Sequence, residues 1–498
     1  MEFLNAISSG FITAFQPLNL LYCFVGVFVG TLIGVLPGIG PAGTIAILMP
    51  VTFNIPAVSA IIMLAGIYYG AMYGGSTTSI LVNIPGEAAS VVTCLDGYQM
   101  ARKGRAGPAL GISAIGSFIA GMVGVILLAF LAPPFSDFAL SFGYPEYFSL
   151  MVLGMTLVTY LGSGSIVKAL MMAVVGFIFA CVGQDPISGI PRLTYGIDFL
   201  WDGLEVIPII MGLFGISEIL MNLEKEEKLE IFETGIKGLL PNWDDWRRSA
   251  IPILRGSILG FLVGILPGSS ATLAAFASYG VEKKFSKHPE DFGKGAIEGV
   301  AGPESANNSA TMGCMVPLLT LGIPTNAVMG MLLAALMIHG TPPGPLLIKN
   351  HPDLFGGIMV SMILGNFMLL ILNLPLIGIW VQVLKVPYKI LFPLIFMFCL
   401  IGSYSCNSRS TDMLIMLGAG YLGYLMKKFD YDAAPLVLAL ILGPLMEMNL
   451  RQSLIMSRGN LAIFFTRPIS LIFLVTAFFF LAFPLVSYLL KQKRERKL

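Results

Sequence analysis

Long uninterrupted apolar windows decide most of what this chain can become. Gly111–Ala132, Met362–Val381 and Pro468–Leu490 are largely apolar, and each exceeds the roughly 18 residues that span a bilayer. Charged residues make up only 11% of the 498, hydrophobic ones 56%. A soluble domain carries about 25% charged residues, so a chain this poor in charge cannot cover a water-facing surface. A β-barrel would show short alternating segments instead. The windows lead to an all-α polytopic membrane protein of about 10–12 spans in a lipid bilayer. A formal net charge of +1 offers no basic surface for nucleic acid.

Met1–Gly10 has neither a basic stretch nor a small-x-small cleavage site, so the first span is expected to stay in the membrane. Six cysteines (Cys23, Cys94, Cys181, Cys314, Cys399, Cys406) show no C-x-x-C spacing. They read as small apolar packing residues, with neither a metal site nor a disulfide framework implied.

Two helix-breaking phrases interrupt the apolar sequence in the same way. GTLIGVLPGIGPAGT (Gly30–Thr44) returns half a chain later as GFLVGILPGSSATLA (Gly260–Ala274). Three more features follow each phrase in one order: a small polar cluster, a second break and a Gly-Pro loop. In the first half these are GGSTTS (Gly74–Ser79), VNIPGE (Val82–Glu87) and GRAGPAL (Gly104–Leu110). In the second they are ESANNSAT (Glu304–Thr311), TLGIPT (Thr320–Thr325) and TPPGPLL (Thr341–Leu347). The chain therefore reads as an N-terminal repeat with following spans over 1–221 and a charged connecting segment at 222–249. A second repeat at 250–389, C-terminal spans at 390–490 and a basic tail at 491–498 complete it. The connecting segment, with EKEEKLE and DDWRR, is expected in water as a loop or surface helix.

Lysine and arginine set orientation. None occurs before Arg102, after which ARKGR (Ala101–Arg105) and the tail KQKRERK (Lys491–Lys497) are expected in the cytoplasm. The stretch after the first Leu-Pro-Gly turn is uncharged up to Pro56, whereas its counterpart EKKFSKHPEDFGK is rich in lysine. The Gly-Pro loops show the opposite contrast. Each matched pair thus reads as one loop inside and one outside, the pattern of an inverted repeat with broken or re-entrant helices.

Backbone polar groups in hydrocarbon must be hydrogen-bonded, so non-helical backbone at membrane depth survives only where protein or a water-filled cavity surrounds it. Proline ends the helix and glycine permits the tight turn. The freed N–H groups at a half-helix start attract anions, and the freed carbonyls at a half-helix end suit Na⁺. The candidate substrate- and ion-binding residues are therefore those at the breaks. Pro37, Gly38 and Gly40 form the first turn; Pro267, Gly268, Ser269 and Ser270 form the second. Gly74, Gly75, Ser76, Thr77, Thr78, Asn83, Pro85 and Gly86 follow in the first half. Glu304, Ser305, Asn307, Asn308, Gly322, Pro324 and Thr325 follow in the second. Hydroxyls and amides bind a carboxylate or a cation without the cost of burying a charge. The plainer reading is that glycine and proline here serve helix packing. Glu87 and Glu304 read as ion or proton ligands or as residues of a wet rim. Tyr68 and Tyr69 read as packing before substrate contact. Arg409, Asp412, Glu447 and Arg451 read as structural pairs or loop residues, Glu447 and Arg451 being one helical turn apart.

No G-x-x-x-x-G-K-(S/T) occurs, so ATP hydrolysis by this chain is not expected. His288, His339 and His351 are too scattered for zinc. GEAAS (Gly86–Ser90) hints at an importer coupling loop, but Gly97 comes too late for that pattern.

The chain resembles the large membrane subunit of the tripartite tricarboxylate transporter family over almost its full length. The strings that carry this are GVLPGIGPAGTIAILMP, YYGAMYGGSTTSILVNIPGEAASVVTCLDGYQMARKGRAGPALG, GILPGSSATLAAFASYGVEKK, GVAGPESANNSATMGCMVPLLTLGIPTNAVM and PLVLALILGPLMEMNLRQSLIMSRGN, with Arg467-Pro468 after it. One departure is Pro324-Thr325-Asn326, where the resemblance leads to a glycine after the proline; it marks a local difference at the substrate site. The resemblance implies a multi-pass secondary carrier of the bacterial inner membrane, without enzymatic activity. It would take up tri- or dicarboxylates by symport with Na⁺ or H⁺, with no cofactor and no metal beyond a Na⁺ site. Its partners would be a small integral membrane subunit and a periplasmic solute-binding protein, and its motion an elevator-like shift of a transport domain against a scaffold. The alternative is the membrane subunit of an ATP-driven importer, distinguished by whether uptake survives loss of the ion gradient. An intramembrane enzyme is a third class, weakened by the lack of a titratable pair placed on neighbouring helices.

Overall fold

The computed structural model describes residues 2–36, 40–161, 165–185, 187–224, 238–268, 270–384 and 388–495. Three of the residues singled out in the sequence, Pro37, Gly38 and Ser269, lie outside the described residues. The first half runs α1 (Glu2–Ala14), α2 (Pro17–Val35), α3 (Gly40–Leu48), α4 (Ala57–Val82), α5 (Val91–Arg102) and α6 (Ala106–Ala139). It continues through α7 (Tyr144–Leu161), α8 (Ile166–Ala180) and a small hairpin of β1 (Gly183–Gln184) and β2 (Pro191–Arg192). It ends in one helical run, α9 (Val206–Ile210), a π turn (Met211–Ile216) and α10 (Ser217–Glu224).

The second half opens with α11 (Trp243–Ile265), α12 (Ala271–Phe285), α13 (Glu298–Gly313), α14 (Met315–Leu321) and α15 (Ala327–Ile338). Then come α16 (Leu347–Asn350), α17 (Pro352–Asn373), α18 (Ile377–Val383), α19 (Tyr388–Asn407) and α20 (Ser410–Lys428). Last are α21 (Ala434–Met456), α22 (Ile463–Thr466) and α23 (Pro468–Glu495). Seven helical stretches are long and apolar enough to cross a membrane, with four shorter apolar helices beside them. The protein is an all-α polytopic membrane protein. The apolar window Met362–Val381 is not one helix: α17 stops at Asn373 and α18 restarts at Ile377, because Pro375 denies the backbone a donor between them.

The repeat is built into the backbone. Leu36 follows the end of α2 and Leu266 that of α11, both extended (ψ 107° and 129°), as a residue before proline must be. Along α2, Gly26, Gly30 and Gly34 rest on the carbonyls of Met63, Ile67 and Ala71 of α4. Along α11, Gly256, Gly260 and Gly264 rest on those of Gly302, Ala306 and Ala310 of α13. A Cβ at Gly30 would come within 2.5 Å of the Ile67 oxygen, and one at Gly260 within 2.1 Å of the Ala306 oxygen. Absent side chains let these backbones touch.

The same contacts fix the register between the halves. Gly74 meets the Thr31 carbonyl as Gly313 meets that of Phe261. The left-handed caps Asn83 (φ 58°) and Gly322 (φ 69°) close α4 and α14. One constant offset relates Gly74 to Gly313, Asn83 to Gly322 and Pro85 to Pro324. This corrects the pairing of the polar clusters: GGSTTS is equivalent to Gly313–Leu318, and ESANNSAT to Ala65–Met72. Residue type misleads because either level of these buried helices accepts small polar groups, whereas the glycine contacts set the backbone.

The two repeats point in opposite directions. On one face, Lys103 Nζ donates to the Lys294 carbonyl at 2.6 Å, and Arg105 pairs with Asp245. Asp96 Oδ1 accepts there from the amides of Gly293, Gly295 and Ala296 at 2.7–2.9 Å. On the other face, Thr52 lies 3.3 Å from His339 Nε2, and Ser136 donates to Pro345 O at 3.0 Å. The loop after α5 thus meets the loop before α13, and the loop before α4 meets the loop after α15. The α2–α3 hairpin therefore opens on the weakly charged face and the α11–α12 hairpin on the charged one. Nine helical residues in α3 rise only about 14 Å, half of a roughly 30 Å hydrocarbon core, so the first hairpin is re-entrant.

The remaining spans pack beside this core. α21 lies on α7 and α8, α23 on α7, and α20 on the run from α9 to α10. At its rim, Arg451 pairs with both Glu447 and Asp185 at 2.8 Å, and Arg192 with Glu447 at 2.7 Å. The Arg451 guanidinium, with the amides of Ser188 and Ile187, holds the Asp185 carboxyl well below the usual carboxylate range. Arg409 pairs with Asp202 at 2.7 Å, and Asp412 accepts from Asn407 at 2.9 Å. Arg409, Asp412, Glu447 and Arg451 are thus each held in a structural pair.

Candidate functional site

In each half, the end of the first helix meets the second break. Thr78 Oγ1 donates to the Val35 carbonyl at 2.7 Å, and Gly86 is pressed on Gly34, where a Cβ would sit 1.8 Å from the carbonyl oxygen. In the second half, Gly268 (φ 80°) donates its N–H to Thr325 O at 2.8 Å. The halves then cross over: α3 packs on α15, and α12 on the turn Ala88–Ser90 that follows the first break. Tyr68 of α4, which meets Asn326 at one break and is within electrostatic reach of Glu87 at the other, links the two breaks into one neighbourhood.

Its floor is Glu304, fully buried on α13. Thr93 of α5 donates to Oε1; Ser76 of α4 donates to Oε2 at 2.5 Å, and Asn307 to the same oxygen at 3.3 Å. Ser117 of α6 and Asn308 donate to its main-chain carbonyl at 3.3 and 3.0 Å. Both carboxyl oxygens have protein donors, as buried polar groups require, and the one side chain ties α4, α5 and α13 together.

Glu87 is the second acid. It caps the turn Ala88–Ser90: Ala89 N–H donates to Oε2 at 2.7 Å, and Glu87 N–H to Ser90 Oγ at 3.4 Å. Its Oε1 is buried and has no hydrogen-bond partner. Gly75 makes room for it, since a Cβ there would lie 2.8 Å from Glu87 Cγ. Glu87 is within electrostatic reach of Tyr68 and Glu304.

The equivalent of Glu87 is Asn326. Its Oδ1 accepts from Met329 N–H at 3.0 Å and so caps α15; its Nδ2 donates to Tyr68 OH at 3.3 Å and to Cys314 Sγ at 3.4 Å. Thus Tyr68, on the first-half helix, reaches the second-half break. Tyr73 OH donates to Asn366 Oδ1 of α17 at 3.1 Å.

Gly75 and Gly86 lie beside Glu87, and Ser76 and Asn307 donate to Glu304; Thr325, with Pro324 buried beside it, stands at the second break. Gly74 serves the contact between α2 and α4. Thr77 is buried within α4. Asn308 donates to Ser117 Oγ at 2.8 Å, and Ser305 Oγ is buried without a partner. Asn83 is exposed, and Pro85, Gly322, Pro267 and Gly40 are half-buried. Ser270 caps α12 by accepting from Leu273 N–H at 3.2 Å. Gly268 packs on α7, where a Cβ would lie 2.4 Å from Val158 N.

Sequence reading missed Thr93, Asn326 and Cys314. Asn326 had a signal, because an asparagine directly before the apolar run Ala327–Ile338 is a helix N-cap. Thr93 and Cys314 had none. Among the described residues no three His, Cys, Asp or Glu side chains cluster as a metal site. A cavity of about 210 Å³ between α7, α8 and α21, lined by Phe148, Phe177, Met446 and Glu447, is apolar and separate from the breaks.

Comparison with known proteins agrees with this architecture. Residues 20–438 match the tripartite tricarboxylate transporter TctA family. The chain is 50% identical over 473 residues, 94% of either chain, to an uncharacterized 52.8 kDa protein of the TAR-I ttuC′ 3′ region of Agrobacterium vitis. It is 51% identical over 211 residues, 42% of this chain and 87% of the relative, to an uncharacterized protein of the TAR-II ttuC′ 3′ region of the same organism. No solved structure matches. A family match across most of the chain, on a helical membrane fold with paired broken helices, settles the kinship: this protein belongs to the tripartite tricarboxylate transporter TctA family, a family of transport proteins.

Proposed function

We propose that this chain is the permease of an ion-coupled uptake system for organic carboxylates of the tri- or dicarboxylate class. It sits in a bacterial inner membrane beside a small membrane subunit, and a periplasmic solute-binding protein delivers the substrate. The observation that carries this reading is the convergence of two oppositely directed broken-helix repeats on one polar neighbourhood. Such a site offers hydroxyls, amides and helix-start N–H groups to an anion, and helix-end carbonyls and a carboxylate to its co-ion. Tyr68 supplies a hydroxyl on one side and Glu87 a carboxylate oxygen without a partner on the other, while Ser76, Glu304 and Asn326 hold the helices around them. Because the repeats enter from opposite faces, small rearrangements of either hairpin expose the same groups alternately to the two sides. The lysine-rich face, with Lys103 and Lys294, is the cytoplasmic one by the distribution of positive charge.

The test is uptake into proteoliposomes holding this chain and its small subunit. A panel of labelled organic acids is offered with the cognate binding protein, under an imposed Na⁺ or H⁺ gradient or with ATP alone. Gradient-driven accumulation of at least one carboxylate, and none with ATP alone, is the expected result. Accumulation that persists after collapse of every ion gradient and needs ATP would overturn the reading in favour of an ATP-driven importer.

A further inference from the structure

The apolar cavity between α7, α8 and α21 lies away from the breaks and has a charged edge. Phe148 of α7, Phe177 and Ala180 of α8, and Met446 and Leu450 of α21 line it, together with Glu447. Each of these side chains is half-buried, so the cavity opens outward. Its depth follows from α8. Near the start of that helix, Lys168 Nζ donates to the Phe429 carbonyl, beside Lys427 and Lys428 with their partners Glu218 and Glu224, so this end faces water. The 15 residues of α8 rise only about 22 Å, less than a roughly 30 Å hydrocarbon core. Phe177 and Ala180, at the far end of α8, therefore lie within hydrocarbon, and Val174 and Ile178 beside them are exposed as on a lipid-facing surface. The β1–β2 hairpin just beyond lies near the hydrocarbon boundary. Exposed Tyr195 and Trp201 in the segment after it agree, since such side chains gather at that level.

Two arginines and two acids stand at this boundary. Arg451 engages Asp185 with both Nη atoms and Glu447 with one of them, and Arg192 reaches Glu447 Oε1 through Nη1. One donor and one acceptor are left over. Arg192 Nε–H is buried with no acceptor, and Glu447 Oε2 has no partner among the described residues. A buried polar group without a partner is rare in native proteins, and phosphate oxygens are strong acceptors for a guanidinium. The cluster is neutral as a whole, so what it has to spare complements a headgroup that itself carries both charges. We infer that the cavity holds an acyl chain of one phospholipid whose phosphate meets Arg192 and whose primary ammonium meets Glu447 Oε2, a phosphatidylethanolamine. A partner's helix does not fit: one turn, about 10 Å across and 5.4 Å long, needs about 420 Å³, and the cavity offers about 210 Å³. Free phosphate would leave the apolar space unfilled. The site is independent of the transport reading.

The experiment uses the full-length chain purified in mild detergent, alone and with its small subunit. Retained phospholipid is counted by native mass spectrometry. The melting midpoint is followed as phosphatidylethanolamine, phosphatidylcholine or phosphatidylglycerol with identical acyl chains is added. The wild type is expected to retain one phosphatidylethanolamine per chain in both preparations, and to show a saturable rise in melting midpoint at the lowest concentration with that lipid. Leu450→Trp, which fills the cavity, is expected to lose the retained lipid and the rise while melting like the wild type in detergent alone. Arg192→Gln is expected to need about tenfold more phosphatidylethanolamine for the same rise, the loss of one charge-assisted hydrogen bond. If Leu450→Trp does not fold, Arg192→Gln decides. No retained phospholipid in the wild type, full retention in Leu450→Trp or an unshifted response in Arg192→Gln overturns the site. Equal or tighter binding of phosphatidylglycerol or phosphatidylcholine overturns the assigned headgroup. Loss of the lipid whenever the small subunit is present gives the cavity to that subunit and overturns the proposal as well.

Discussion

The two second breaks are the same construction with different contents. Each ends a helix in a left-handed residue, Asn83 or Gly322, places a proline two positions later, and then caps the next helical segment with a side chain, Glu87 or Asn326. What differs lies between and around these points. Gly86 faces the end of α2 where Thr325 stands in the other half, Gly75 makes room for Glu87 where Cys314 contacts Asn326, and one cap is an acid while the other is an amide. The polar residues also occupy different levels of equivalent helices, since Glu304 corresponds to Ala65 of α4. The lesson is a separation of roles. The backbone, set by glycine contacts and prolines, is symmetric and decides where main-chain polar groups are released. The side chains are asymmetric and decide which groups surround each release point.

The largest effect is expected from erasing that asymmetry at Glu304. In Glu304→Ala, the hydroxyls of Ser76 and Thr93 and the amide of Asn307 lose their common acceptor in a fully buried place. Unsatisfied buried donors cost about 1–3 kcal/mol each, and Ser76 keeps a fallback on Met72 O at 3.2 Å. A net loss of about 3 kcal/mol is expected, read from denaturant unfolding in mild detergent. Glu304→Gln, which keeps an acceptor, is expected to lose less than half of that. If Glu304→Ala unfolds like the wild type, the acid does not join the three helices.

The breaks themselves come next. Gly86→Ala places a methyl group 1.8 Å from the Gly34 oxygen and 2.8 Å from Gly75 Cα. Backbone cannot yield as a flexible side chain does, so about 1–3 kcal/mol of overpacking is expected, together with loss of carboxylate uptake. The reverse exchange, Thr325→Gly, meets no clash. It gives up a buried side chain and loosens the backbone, for about 1 kcal/mol. Equal effects from the two exchanges, by the same unfolding measurement, would erase the distinction between a first break that admits no side chain and a second that buries one.

How much of this could be read beforehand follows from the same division. The stops of α2 and α11 ahead of their prolines, the second breaks and the opposite charge of matched loops were legible, because proline, glycine and lysine act locally or through solvent. Gly30, Gly34, Gly260 and Gly264 were visible in the repeated phrase itself. The level of each polar residue along its helix was not legible. GGSTTS and ESANNSAT look alike as strings, but only the backbone contacts of Gly74 and Gly313 show that they sit at different heights and meet across the molecule. Which oxygens of Glu87 and Glu304 find donors was likewise not legible. Thr93 supplies one of those donors from a helix with no polar pattern to announce it.

The smallest difference expected tests the symmetric side of the comparison. Gly30→Ala in α2 and Gly260→Ala in α11 occupy equivalent places, with a new Cβ 2.5 Å from the Ile67 oxygen and 2.1 Å from the Ala306 oxygen. Each forces two helices apart where packing alone holds them, so each is expected to lower stability by about 1–3 kcal/mol. Because the glycine stripes are equivalent, the two losses should agree within about 0.5 kcal/mol, and the double variant should come close to their sum, as distant sites do. A loss confined to one half would mean that only one hairpin depends on close backbone contact. The second would then be held by side chains such as Arg255 and Glu282, which pair at 2.5 Å between α11 and α12, and the glycine repeat would have different physical work in the two halves.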